Sequence, residues 1–341
     1  MVSDTNPHFE DVDAETVDEL LEQMVRIRRF EEGVLDEFSE GSVPGFVHLC
    51  HGHEASHAGM GVAMQPDDWL AVGGSRLHGQ YIVKGVPFDE IMAELFGKAT
   101  GPNGGKGGSM HLADVDRHLY GHAATIGSGQ NPAAGLALAQ QMRETGNVVL
   151  STIGDGGTSR GSFHTALVFA AAWNLPVVYI IENNGFAISY STQQQVGIDS
   201  LADYGKPLNI PSYSIDGSDP VAVYETISEA ITRAREGGGP TLVESRVTRL
   251  RGHFEGDKQA YRTEEEARES NAERDPVTNF QERVIEAGHI TAEAYDALVD
   301  EIDDEVGAAI QFAKDSPDPA PSTAYEDVLR LPLYGQGEGD A

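Results

Sequence analysis

The 341-residue chain carries 55 acidic residues against 23 Lys and Arg, a formal charge of −32 at pH 7, and 40% of it is apolar. Such a field repels nucleic acid and anionic membranes, and the length serves one large domain or two small ones. No apolar run approaches the about 20 residues of a membrane span, and the acidic start "MVSDTNPHFEDVDAE" lacks the apolar stretch of a signal peptide.

A soluble, cytoplasmic protein is therefore expected. The scarcity of lysine resembles proteins of salt-loving cytoplasms, where dissolved ions screen an acidic surface. The single cysteine, Cys50, allows no intrachain disulfide and reads as a buried, inert thiol.

In chain order, residues 14–40 read as a helix, because Val17, Leu20, Leu21, Met24, Ile27, Phe30, Val34 and Phe38 recur every three or four positions and Gly41 supplies a stop. "GFVHLCHGHEASHAG" follows. His53 and His57 would share a helix face, and these histidines read as structural rather than as a metal site. "DDWLAVGGSRLHGQYIVKG" predicts a strand, a turn and a helix, and "GPNGGKGGSMH" a loop without the GK[ST] of a phosphate-binding motif. "GQNPAAGLALAQQMRETG" predicts a helix, and a βαβ unit spans about 147–182. "GPTLVESRVTRLRGHFEGD" is a further strand with a charged loop. From about 262 the chain turns helical and acidic, and "LYGQGEGDA" is expected to fray. Alternating strands and helices imply an α/β fold, a parallel sheet flanked by helices, with ligands beyond the carboxyl ends of its strands.

Two polar turns sit where such ligands bind. "NVVLSTIGD" and "PVVYIIENN" read as successive parallel strands joined by the helix "SRGSFHTALVFAAAWN". A right-handed crossover brings Asp155 and Asn184 to one edge of the sheet. A carboxylate and a carboxamide are hard oxygen donors suited to Mg2+, which completes its shell with phosphate and water. Gly156 and Gly157 let backbone approach a diphosphate, and a helix beginning near Thr158 would point amides at it. GDG, a spacer of this length and NN match the thiamine-diphosphate motif.

Across most of its length the chain resembles the α subunit of the two-chain first component of 2-oxo acid dehydrogenase complexes, closest to the acetoin branch. "PGFVHLCHGHEA", "SRLHG", "AELFGKATGPNGGKGGSMH", "GDGGTSRGSFHTAL", "ENNGFAIS" and "RGHFEGDKQAYR" carry the likeness. The resemblance implies a thiamine-diphosphate-binding fold: a helical segment over 1–45, the cofactor-binding α/β domain over 46–260, and a helical arm with a flexible tail over 261–341. It implies Asp155, Asn184 and the Phe186 carbonyl as Mg2+ ligands, Arg76 and Arg249 on the diphosphate, Gly156 and Gly157 beside it, and Ser75 as a further cofactor contact. Ala124 and Ile126 match the aminopyrimidine loop. His253 is implied as the active-site histidine and His78 as a substrate-side histidine, with His48 a further candidate. Phe254 stands where pyruvate-specific members carry a phosphorylatable serine, and Ser75 where they carry tyrosine.

The implied reaction cleaves a 2-oxo acid or acetoin and passes the acyl group to a lipoyl-bearing acyltransferase component. The family's activating glutamate belongs to a β subunit, so the resemblance implies two α and two β chains. Acetoin, pyruvate and branched-chain substrates stay open at this point. So do a half-enzyme that does not use lipoyl, a decarboxylase or transketolase type, and a non-catalytic structural subunit.

Overall fold

The apolar runs form one parallel sheet. The computed structural model describes residues 12–121, 125–263 and 274–327. Its strands are β1 (Trp69–Ala71), β2 (Leu119–Tyr120), β3 (Val149–Gly154), β4 (Val177–Asn183), the hairpin β5 (Phe186–Ala187) and β6 (Tyr190–Ser191), β7 (Ser212–Asp216) and β8 (Thr241–Arg246). The main sheet runs in the order β2-β1-β3-β4-β8-β7, every neighbouring pair parallel.

The helices are α1 (Ala14–Glu40), α2 (Glu54–Ala63), α3 (His78–Val83), α4 (Phe88–Leu95), α5 (Gln130–Arg143), α6 (Gly161–Trp173), α7 (Thr192–Gln195), α8 (Pro220–Arg235), α9 (Pro276–Glu286) and α10 (Ala292–Asp315). They cover both faces, which is why the strands read as unbroken apolar runs. On β4, Val178 and Ile180 enter the core formed with α1, α2, α4, α8, α9 and α10. Val177, Tyr179 and Ile181 enter the other core, with Ala133 and Ala137 of α5 and Phe163, Ala166 and Leu167 of α6. Among the described residues no helix is long and apolar enough to cross a membrane.

α1 forms as its periodicity predicts. Asp13 caps it by accepting from the Thr16 amide at 2.9 Å, and Gly41 ends it in the left-handed conformation. α1 and α10 pack closely enough that a Cβ on Gly33 would fall 2.6 Å from Val306 Cγ1. Arg26–Glu305 and Arg29–Asp303 ion pairs line the same seam. The expected helical start near 262 falls largely on 264–273, outside the described residues, as does the tail.

The glycine-rich stretch after α4 is a loop, built around one carboxylate. Glu94, at 0% exposure, accepts from the amides of Asn103 (2.9 Å), Gly105 (3.1 Å), Gly107 (2.6 Å) and Gly108 (3.2 Å). Those amides are engaged internally and make no phosphate cradle. Glu94→Ala would leave four donors without their acceptor, and should cost about 3 kcal/mol in stability. Urea denaturation reads this directly; a loss below about 1 kcal/mol would mean that water replaces the carboxylate.

Candidate active site

The sheet order sets the location. From β1 the chain crosses over outward to β2, and from β3 it crosses the opposite way to β4, so the carboxyl ends of β1 and β3 flank a topological switch point, where α/β sheets bind ligands. The turn after β1 carries Gly73, Ser75 and Arg76; the turn after β3 carries Asp155, Gly156 and Gly157. The Gly73 amide donates to Thr152 Oγ1 at 3.0 Å, tying the turn after β1 to strand β3.

Asp155 is 2% exposed, and burial raises its carboxyl pKa against the pull of Thr192, the Gly156 amide, Arg249 and Arg76. Thr192 Oγ1 donates to Asp155 Oδ2. A single side chain then fixes the whole turn: Gln195 Nε2 donates to the Asp155 and Gly156 carbonyls at 3.2 Å each and to Ser159 Oγ at 2.6 Å. The expected helix start near Thr158 is displaced. Residues Asp155–Ser159 form a 3-10 turn, because Thr158 Oγ1 folds back onto the Asp155 carbonyl, and α6 begins at Gly161. Gly156 and Gly157 are required by contact: added Cβ atoms would lie 2.8 Å from Ala187 Cβ and 2.7 Å from Ile153 Cγ1.

β4 pairs with β3 in register Gly154↔Glu182, so Asn184 leaves the adjacent strand end. Its Oδ1 accepts from the Phe186 amide at 3.2 Å, while Asn183 is spent on structure, donating to Glu244 Oε1 at 2.7 Å. The β5–β6 hairpin then returns the chain over the Asp155 turn, carrying Phe186, Thr192 and Gln195 with it.

Two guanidiniums converge on this place. Arg76 Nη2 donates to the carbonyls of His253 (2.8 Å) and Gly252 (3.2 Å). Arg249 Nη2 donates to Tyr261 Oη (2.6 Å) and the Ile188 carbonyl (3.1 Å). Both are buried, and Arg76 Nε, Arg249 Nε and Arg249 Nη1 have no partner. Burial and then the Arg76 charge push Arg249 down to about 10. Buried cations with unused donors are costly, and an anion relieves them.

The "RGHFEGDKQAYR" loop is braced by Asp257, which accepts from the His253 amide (2.8 Å), the Gln259 amide (2.9 Å) and Tyr261 Oη (2.6 Å). The Glu255 amide donates to the Val47 carbonyl and the Leu250 amide to that of His51, which holds the loop against the "FVHLCHGH" segment. His253 and His48 stack edge-to-face with centroids 4.9 Å apart, and Nδ1 of each is buried without a partner.

The remaining expected residues divide. Ile126 reaches the Asp155 turn, where its Cγ2 would lie 3.4 Å from a Cβ on Gly157, and Ser75 adjoins Arg76. Ala124 lies outside the described residues. His78 is fully buried with both nitrogens engaged, Nδ1 3.0 Å from Glu31 Oε1 and Nε2 2.8 Å from Ser109 Oγ. Thr192, Gln195, Asp257 and Tyr261 escaped the sequence reading. "STQQQV" has no periodicity to mark it, and Asp257 and Tyr261 were legible only as part of a charged loop.

A family profile described as "Dehydrogenase E1 component" matches residues 22–322. The α subunit of acetoin:2,6-dichlorophenolindophenol oxidoreductase from Bacillus subtilis is 40% identical over 309 residues, covering 91% of this chain and 92% of the relative. The subunit of the same name from Cupriavidus necator is 40% identical over 318 residues, 93% and 95% of the two chains. The pyruvate dehydrogenase E1 component subunit alpha of Rhizobium meliloti is 35% identical over 307 residues, 90% and 88%.

The two site imidazoles carry a pH signature. Burial, then Arg76, holds His48 down to about 3; burial, then Arg76 and Arg249, holds His253 down to about 4. Both folded values lie below the unfolded histidine value of about 6.5, so the unfolded chain binds more protons in between. Their contribution is complete above about pH 6.5 and is lost as pH falls toward about 4. The double variant His48→Gln/His253→Gln should lose less stability than wild type between about pH 6.5 and pH 4. Urea midpoints across that range decide it, and parallel profiles would reject the assignment.

Proposed function

The chain belongs to the dehydrogenase E1 component family, which is thiamine diphosphate dependent, and from that premise we propose that it is the α subunit of an α–β enzyme that cleaves acetoin and hands the acyl group to a lipoyl-bearing acyltransferase. The paired buried guanidiniums at the switch point carry this reading. A diphosphate would satisfy the three unpaired nitrogens of Arg76 and Arg249 and relieve their mutual repulsion. Mg2+ suits the donors beside them: the Asp155 carboxylate, the Asn184 amide oxygen and the Phe186 carbonyl. A cation there would also offset the cost of burying Asp155. Gly156 and Gly157 give the close backbone approach.

Bound thiamine diphosphate supplies the electron sink for breaking the bond beside a substrate carbonyl. The chain's own residues do the positioning. Thr192 and Gln195 hold the Asp155 turn, and Asp257 and Tyr261 hold the His253 loop. His253, neutral and with a free Nδ1, is the group that exchanges a proton with substrate or lipoyl sulfur. Ser75, Ala124 and Ile126 are cofactor contacts on the family resemblance, and His78, with both nitrogens engaged, takes no part in proton transfer. Acetoin is the preferred substrate, on the 40% identity to two subunits named for it, with Ser75 and "RGHFEGDKQAYR" in support.

A β subunit completes the site. α6 is apolar almost all round, and Val168, Phe169 and Trp173 on it are 49%, 42% and 51% exposed. Such a helix seeks a partner surface. Two α and two β chains fit that demand.

The reconstituted pair should turn over acetoin with a lipoyl acceptor, at a higher kcat/KM than pyruvate. Asp155→Ala should abolish Mg2+-dependent thiamine diphosphate binding by calorimetry while leaving circular dichroism unchanged. Undiminished affinity in that variant would remove Asp155 from the site. Phe169→Asp should leave the single chain folded but unable to form the heterotetramer; sedimentation at the heterotetramer mass would refute the interface.

A further inference from the structure

His53 caps the start of α2 and His57 follows one turn later, so the two imidazoles share a helix face. That face meets Glu182 of β4. His57 Nε2 lies 2.8 Å and His53 Nδ1 3.4 Å from Glu182 Oε1, and the three donor atoms lie within 4.8 Å of one another. The residues are 0%, 2% and 5% exposed. Glu54, which stands between the two histidines in the sequence, is turned away to Arg28 and the Gly52 amide, and the third donor comes from a strand far along the chain. None of the three has a part in the reaction proposed above.

The surroundings are built for this cluster. Gln80 Nε2 donates to Glu182 Oε2 at 3.1 Å, and Gln80 Oε1 accepts from Thr152 Oγ1 at 2.8 Å, which orients the carboxylate. Gly79 makes room for His57: a Cβ there would sit 2.2 Å from Nδ1. Glu182 has no guanidinium or ammonium within ion-pair distance among the described residues. His53 Nε2 and His57 Nδ1 have no partner, so the ring tautomers are decided at Glu182 and at the Gln80 amide, 3.4 Å from His57 Nε2. Without an ion an N–H faces the carboxylate; with one, a lone pair faces the ion.

We propose that His53, His57 and Glu182 form a second metal site, separate from the oxygen donors at Asp155 and Asn184, for a borderline divalent ion such as Zn2+ or Co2+. Two imidazole nitrogens and one carboxylate oxygen are the donor set of such ions, whereas Mg2+ takes oxygens. Ligands about 2.0–2.2 Å from a tetrahedral ion stand about 3.2–3.6 Å apart. The observed 3.4 Å falls in that interval and the 2.8 Å needs a shift of a few tenths of an ångström. The ion neutralises Glu182 and pins the start of α2 to the end of β4, two residues before Asn184. It is a structural clamp with no open path for substrate.

The test uses the full-length chain, stripped by chelator and titrated with Co2+ in excess Mg2+ without thiamine diphosphate. The readouts are d–d absorption, stoichiometry by equilibrium dialysis, and melting temperature, which an ion bound only to the native chain raises. One Co2+ per chain, displaced by Zn2+, is expected. His53→Gln and His57→Gln should each weaken it by more than about 10-fold and Gln80→Ala by about 10-fold; Asp155→Ala should leave it unchanged. Absence of saturable Co2+ binding to the folded wild-type chain overturns the site. So does binding that survives in both histidine variants, or that disappears in Asp155→Ala. Because the wild-type titration alone can refute the site, a variant that fails to fold does not shelter it.

Discussion

Arg76 and Arg249 are buried side by side in a chain with an excess of acid, and much of the surrounding architecture holds them there. Like charges in a poorly solvated place repel, and each guanidinium loses hydration that only fixed partners can restore. The partners are backbone carbonyls and one phenol: His253 and Gly252 for Arg76, Ile188 and Tyr261 for Arg249. None cancels charge outright. Asp257 sits one bond further out, through Tyr261, and Asp155 acts across space. The molecule thus holds a deficit of negative charge at one point, and the chemistry proposed for the site follows from that deficit.

Holding it requires rigid loops. The Asp155 turn is clamped from the β5–β6 hairpin side by Thr192 and Gln195, and the His253 loop from the segment before α2 by Glu255–Val47 and Leu250–His51 backbone bonds. Gly52 shows how close the second approach is: its φ is +93°, and a Cβ would lie 1.8 Å from the Thr248 carbonyl. Catalytic electrostatics work when donors are fixed before the ligand arrives. Here the fixing groups come from four chain segments far apart in sequence, so the site exists only in the folded chain.

That distribution explains what the sequence disclosed. Periodicity settled α1, because eight apolar positions repeat on one face and Asp13 and Gly41 mark its ends. The strand pair around GDG and NN was legible because two apolar runs bracket a helix of fitting length, and the register Gly154↔Glu182 puts both turns at one edge. Arg76, Arg249 and His253 were reached through resemblance, and the structure brings them together. Thr192 and Gln195 were not legible, since a polar run in a loop carries no period. Neither was the meeting of His53 and His57 with Glu182, because parallel pairing beyond a crossover is a tertiary fact. The start of α6 was misplaced by a few residues, since side-chain bonds from Thr158 and Gln195 override helix propensity there.

The acidic surface and the cationic pit act over different distances. At physiological ionic strength the Debye length is about 8 Å, so the exposed carboxylates repel an approaching anion only near the surface, and less as salt rises. Arg76 and Arg249 are buried, and screening weakens their hold on a seated anion far less. Added salt therefore lowers the barrier to approach while largely preserving the attraction at the site. The same separation shields the pit from the chain's own surface: Asp257 is committed to Tyr261 and to the His253 and Gln259 amides, and Asp155 to Thr192. A chain so rich in acid can still present an anion site because its two cations are buried and keep donors without partners.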